Sequence, residues 1–174
     1  MYDIGANVGF YTLLAAKLAG PAGHVYAFEP APRNFDFLRR HVTMNAISNV
    51  TLMQAAICSE AGQAMFDLGK SFETGRLSRN GEVMVRVETI DQLVFEHSMP
   101  PPHVIKIDVE GHEAEVLGGA RETLKRYRPI VFVATHRADV HQQCCAAFDD
   151  HRYIVSSVDE RSVAVSDELI AHPA

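Results

Sequence analysis

The segment Asp3-Ile4-Gly5-Ala6-Asn7-Val8-Gly9 sets an acid and two glycines between a short apolar run and a helical pattern. Glycine at such a turn lets the backbone come close to a ligand, which is how nucleotide sites in α/β sheets begin. The fingerprint for a dinucleotide needs glycine at its first, third and sixth positions. Gly5, Asn7 and Phe10 stand there, so a pyrophosphate loses two of its three glycines. What remains is G-x-N-x-G, preceded by Asp3 and followed, about 20 residues later, by Glu29.

S-adenosylmethionine carries a sulfonium and an ammonium and no phosphate, so its pocket calls for carboxylates more than for amide N–H groups aimed at anions. Asp3 ends one apolar run and Glu29 ends the next, which suits the two ends of this one ligand. At Glu29 the carboxylate is expected to accept from both ribose hydroxyls. The bland alternatives are that Asp3 caps the following helix and that Glu29 closes the turn Pro30-Ala31-Pro32. The glycine spacing between the two acids weighs against both.

A second acidic stretch, Lys106-Ile107-Asp108-Val109-Glu110-Gly111-His112-Glu113, follows another apolar run. Ligands of open parallel sheets lie beyond the carboxyl ends of the strands, which directs Asp108 into the same crevice. Methyl transfer is an in-line displacement, so it depends mostly on holding the acceptor oxygen behind the methyl carbon. A base is then needed only for the acceptor's proton. The candidates are Asp108, Glu110, His112, Glu113 and His136. Asp108 is assigned to the methionine end of the cofactor or to the acceptor, His136 to the base, and His112 stands as its alternative. Against both histidines stands the reading of a plain surface imidazole, since the chain holds 9 of them and all titrate near neutrality. The stretch also offers hard metal ligands, but alternate residues of an extended segment point to opposite sides, so no metal is expected.

The elements that must position these residues are short β-branched runs alternating with helical patterns, the mark of βαβ units and a mostly parallel sheet. Strands are expected at 1–4, 25–29, 50–54, 104–108 and 130–134. Phe10, Leu13, Leu14, Lys17 and Leu18 recur at helical spacing over 10–19, before the stop Gly20-Pro21. A second helix is expected over 33–45, with Phe35, Leu38 and Val42 inward and Phe37 and Met44 as further candidates. Residues 63–68 and 83–88 alternate like antiparallel strands joined by a mobile surface loop, 69–81. Residues 153–158 and 162–165 flank Asp159-Glu160-Arg161 as a C-terminal antiparallel hairpin.

With 174 residues, 47% of them hydrophobic, the chain suffices for one core and one domain. A net charge of -6 argues against nucleic acid and anionic membrane as partners, leaving a small molecule. No apolar run reaches the roughly 18 residues of a membrane span, and no signal peptide opens the chain, so a cytoplasmic location is expected. Cys58, Cys144 and Cys145 form no metal or disulfide pattern.

Three segments in order, Asp3 to Thr12, Phe28-Glu29-Pro30 and Lys106 to Glu113, resemble the signature segments of FkbM-type methyltransferases. The resemblance runs to about His136. It implies a three-layer Rossmann-like class I methyltransferase fold, S-adenosyl-L-methionine as cofactor, and O-methylation of a hydroxylated sugar, polyketide or similar metabolite. The expected cofactor contacts are Asp3, Gly5, Asn7, Gly9, Phe10, Glu29, Pro30, Ala56 and Asp108. Two departures accompany it: Ile130 to His136 holds no acid before its histidine, and the first strand begins at Met1. The second leads to the expectation of a single domain over 1–174 lacking upstream N-terminal elements. Acceptor specificity is expected from 69–81 and from whatever precedes Met1. A truncated or non-catalytic domain that binds cofactor or protein is the alternative function; a nicotinamide-dependent oxidoreductase is disfavoured by Asn7 and Phe10.

Overall fold

The computed structural model describes residues 1–71, 74–159 and 161–174. Seven strands form one sheet: β1 (Tyr2–Ile4), β2 (Val25–Phe28), β3 (Val50–Met53), β8 (Val104–Ile107), β9 (Ile130–Ala134), β10 (Tyr153–Ser157) and β11 (Glu168–Pro173). Their order is β10-β11-β9-β8-β1-β2-β3, parallel except for β11, which runs antiparallel to both neighbours. The five expected parallel strands are all present. Their ends fall one residue short at Glu29, Gln54 and Asp108, so Glu29 and Asp108 stand just past the sheet's carboxyl edge.

Strand alternation divides the core in two. One face carries Tyr2, Ile4, Phe28, Ile105, Ile107, Val131 and Val133. It packs under α3 (Ile90–Phe95), α4 (Glu113–Gly118), α5 (Arg121–Tyr127) and α6 (Ala138–Asp150). The other face carries Ala27 and lies under α1 (Phe10–Ala19) and α2 (Pro32–Met44), where Leu38 and Val42 are buried and Leu13 and Phe35 pack alongside. The result is the three-layer α/β arrangement the resemblance implies.

Helix α1 turns its small residues toward the sheet. Its buried residues are Thr12 and Ala16, while Phe10, Leu14 and Leu18 are exposed. The cause is Asp3: its buried carboxylate accepts a 2.6 Å hydrogen bond from Thr12, and that pairing turns the small residues of the helix inward. Met44 of α2 is exposed as well, because the helix ends there and Leu38 and Val42 already fill its inward stripe.

A second sheet has the order β4-β7-β5-β6, with β4 (Ala56–Ile57), β5 (Gly62–Asp67), β6 (Arg76–Leu77) and β7 (Val83–Glu88). The expected antiparallel pair is β5 with β7, in the register Gln63 to Arg86 and Phe66 to Val83. The expected loop 69–81 is not wholly loop, since Arg76 and Leu77 pair with Asp67 and Phe66. Residues 72 and 73 of that loop lie outside the described residues.

The hairpin partner of β10 also moves. Ser162 to Val165 belongs to the connection, with the Val165 and Ser166 N–H groups donating to the Ser162 carbonyl, and the partner strand is Glu168–Pro173. Leu169 and Ala171 there alternate into the core between β9 and β10, burial that the half-exposed run before them does not provide. Glu160, in the expected turn, lies outside the described residues. Among the described residues no helix is long and apolar enough to cross a membrane.

Candidate active site

The last paired row across the centre of the sheet is Phe28, Ile4 and Ile107. One residue further come Glu29, Gly5 and Asp108, so three segments far apart in the chain open side by side at the carboxyl edge. Above this row lies a cleft of about 410 Å³, within the range of small-molecule sites. Of the residues singled out by sequence, Gly5, Asn7, Phe10, Glu29, Pro30, Ala56, Asp108, His112 and His136 line it. Asp3 and Gly9 are not lining residues.

The floor is backbone. The Gly5 and Ala6 N–H groups both donate to the Phe28 carbonyl, which folds the turn back over β2. Gly5 has a φ of 75°, and a Cβ there would stand 1.8 Å from the Asp108 carbonyl oxygen. This glycine is therefore required by the close approach of β1 and β8 themselves, before any ligand arrives. Asn7 also takes a left-handed conformation, which asparagine tolerates better than most residues. Gly9 packs against the Leu38 side chain on the side away from the cleft.

At one end sits Glu29, only 5% exposed. Its Oε2 accepts from the Asn7 N–H at 2.8 Å and its Oε1 from the Ala31 N–H at 2.9 Å. The carboxylate thus closes the turn and faces the cleft at once, and the Asn34 side chain donates to it as well. Burial pushes its pKa up to about 7, against the opposing pull of the Ala31 and Asn7 N–H groups and of Lys106. Beside it the cleft wall is apolar, with Ala55, Ala56 and Ile57.

Asp3 lies one layer below, fully buried. It caps no helix: α1 is capped by Gly9 without a side-chain hydrogen bond. Besides Thr12, it faces Lys106 at 3.4 Å. The Lys106 ammonium donates to the Gly5 carbonyl at 2.8 Å, lies 3.4 Å from Asp108 Oδ2, and sits 5.3 Å from the centre of the Tyr11 ring. This lysine was overlooked in the sequence, although a charge inside the apolar run 104–107, in register with Asp3, was a visible signal. Phe66, Gly75 and Leu77, which reach the cleft from the second sheet, had none.

At the other end, His136 Nε2 stands 3.4 Å from Asp108 Oδ1 and 3.5 Å from Glu110 Oε1, while its Nδ1 donates to Glu113 Oε1 at 3.0 Å. The missing acid before His136 is thus replaced by one from α4. As the alternation predicts, only some of these residues point one way: Asp108 and Glu110 meet His136 Nε2, while Glu113, past the positive-φ bend at Glu110 and Gly111, reaches Nδ1. The Glu113 hydrogen bond, reinforced by Glu110 and Asp108, raises the His136 pKa to about 9 despite burial. For Glu113, burial pushes the pKa up, but His136 and the Gly111 N–H outweigh it and hold the group below the ordinary value. His112 lines the same wall, and its buried Nδ1 has no hydrogen-bond partner.

Among the described residues the cleft carries the carboxylates of Glu29, Asp108 and Glu110 against the ammonium of Lys106 and the protonated imidazole of His136, a small acidic excess. Fold and cleft together define an α/β domain with an open cleft at the carboxyl edge of a mostly parallel sheet. The family follows from comparison: the chain belongs to the methyltransferase FkbM domain family, whose model matches residues 3–161.

Hexuronic acid methyltransferase AglP of Haloferax volcanii is 32% identical over 133 residues, covering 75% of this chain and 54% of that protein. The 31-O-demethyl-FK506 methyltransferase FkbM of Streptomyces tacrolimicus is 27% identical over 176 residues, covering 81% and 65%. Among solved structures, methyltransferase FkbM from Methylobacillus flagellatus superposes with a TM-score of 0.69 at 21% identity, over 99% of this chain and 42% of the other. That likeness establishes the fold. The chain spans about half the length of the first of these relatives.

Proposed function

We propose that this domain binds S-adenosylmethionine and directs its methyl group to a hydroxyl oxygen of a small metabolite in the cytoplasm, without nucleic acid or membrane as partner. The observation that carries the proposal is the row Glu29, Gly5 and Asp108, which lines one cleft with carboxylates at both ends of a glycine floor. Relatives named for a hexuronic acid and for a 31-O-demethylated compound support an acceptor of the sugar or polyketide kind.

In this reading Glu29 holds the ribose and the apolar wall at Ala55, Ala56 and Ile57 takes the adenine. The carbonyl edge of the Gly5 turn and Asp108 receive the methionine end. Asp3 is a positioning residue, since its burial keeps Lys106 fixed below that end. The bound cofactor supplies a methyl carbon already activated by its sulfonium. Asp108, Glu110 and His136 would then hold the acceptor, with the Asp108 carboxyl group placed to take the proton its hydroxyl gives up.

At neutral pH a His136 of pKa about 9 carries its own proton. In the free protein it therefore contributes charge and orientation before it can serve as a base, and the Asp108 carboxyl group stands beside it as the acceptor. The test is turnover of labelled S-adenosylmethionine against panels of uronic acids and polyketide alcohols. Transfer to oxygen, reduced at least about 100-fold in Asp108→Asn, is the expected result. Cofactor binding with no transfer to any hydroxyl would favour a non-catalytic domain instead.

A further inference from the structure

We infer that Asp108, Glu110 and His136 form a binding site for a divalent cation of the magnesium and manganese class, set at the acceptor end of the cleft. One ligand atom from each residue lies within 4.8 Å of the other two. The imidazole is 3.4 Å from one carboxylate and 3.5 Å from the other. Neighbouring ligands around an octahedral magnesium or manganese ion are about 3 Å apart, so small rotations of exposed side chains complete the site.

Three further observations point the same way. First, the opposite ring nitrogen of His136 is held by Glu113, a fully buried carboxylate, which aims Nε2 at Asp108 and Glu110. Metal-bound histidines are commonly oriented by such an outer carboxylate. Second, the other oxygen of that carboxylate, Glu113 Oε2, is buried without a hydrogen-bond partner, which marks unsatisfied negative charge behind the imidazole. Third, Asp108 divides its oxygens: Oδ2 faces Lys106, which leaves Oδ1 for the cluster. Two carboxylates and one imidazole suit a hard or borderline divalent ion and leave about three coordination positions open toward the cleft.

Those positions are the ones an acceptor with two adjacent oxygens occupies. A cation there orients the reacting hydroxyl and eases loss of its proton, work for which a lone carboxylate is a weak base. This role rests on the methyl-transfer reading; the cation site does not.

The test uses the full chain, stripped of metal by chelator, with manganese(II) as the probe in calorimetry and electron paramagnetic resonance, and S-adenosylhomocysteine titrated in parallel. The inference predicts one manganese per chain. Binding should fall at least about 100-fold in Glu110→Gln and in His136→Ala, and roughly 10- to 100-fold in the positioning variant Glu113→Gln. Thermal melting identifies any variant that fails to fold, and either Glu110→Gln or His136→Ala suffices alone. Glu29→Ala should lose affinity for S-adenosylhomocysteine and keep its manganese. A folded wild type that ignores millimolar manganese overturns the inference, as does manganese binding unchanged in the folded ligand variants. Failure to bind S-adenosylhomocysteine, with manganese still bound, would instead sink the methyl-transfer reading.

Discussion

The two ends of the cleft are built on different principles. At the Glu29 end, every hydrogen bond is short-range in the fold: the carboxylate closes its own turn through Ala31 and ties down the glycine turn of the neighbouring strand through Asn7. At the His136 end, three acids from one bent segment converge on an imidazole that follows a different strand; among the described residues Glu113 Oε2 and His112 Nδ1 there are buried without a hydrogen-bond partner, as is Asn7 Oδ1 at the first end. The first end is a rigid cradle with satisfied backbone. The second is crowded with like charge, which costs stability and fits a site that a cation or a substrate completes.

The sharpest way to break this contrast is at the junction of the two ends. Gly5→Val sets a Cβ against the Asp108 carbonyl and forces a β-branched residue to positive φ. It should cost about 2–5 kcal/mol in denaturant unfolding. Gly9→Ala, whose Cβ at a φ of 100° meets the buried Leu38 side chain rather than a backbone oxygen, should cost about half as much. Equal losses would show that the two glycines serve alike and that the close approach of β1 and β8 is not special.

Glu29→Ala probes the cradle itself. It removes the ribose acceptor and leaves the N–H groups of Asn7 and Ala31 without their partner, so affinity for S-adenosylhomocysteine should fall by about 1.5–3 kcal/mol in calorimetry. An unchanged dissociation constant would remove Glu29 from the cofactor site and leave it only the turn.

The same carboxylate gives a smaller, pH-dependent effect. With a pKa pushed up to about 7 by burial, Glu29 is protonated below that value in the free protein, whereas ribose hydroxyls donate to its ionised form. Affinity for S-adenosylhomocysteine should therefore rise roughly tenfold from pH 6 to pH 8, and Glu29→Gln should abolish the rise. The stability of the free protein moves the other way. A carboxyl whose pKa is raised on folding contributes fully below its ordinary pKa of 4.5 and loses that contribution as pH climbs through 7, by about 3 kcal/mol at most.

The contrast between the ends also explains what the sequence disclosed. The cradle was legible because its parts are local: a glycine turn, and an acid at the end of the following strand. The parallel strands were legible because each is a bounded β-branched run. The His136 end was legible only as a set of candidates, since its convergence depends on positive φ at Glu110 and Gly111 and on a partner from α4. Lys106 is hidden by its apolar neighbours, and the inward face of α1 is not legible because a buried Asp3–Thr12 hydrogen bond outweighs the more apolar stripe. Strand β11 was missed because Leu169 and Ala171 are too few and too short a run to stand out before β9 and β10 enclose them.

The central claim is that this cleft is shaped for a cationic, phosphate-free nucleoside cofactor. Calorimetric titration of the full chain with S-adenosylmethionine, S-adenosylhomocysteine and NAD tests it most directly. One-to-one binding of the first two, with no heat from NAD, is the predicted result; binding of NAD, or silence toward both S-adenosyl ligands from a folded protein, would contradict it.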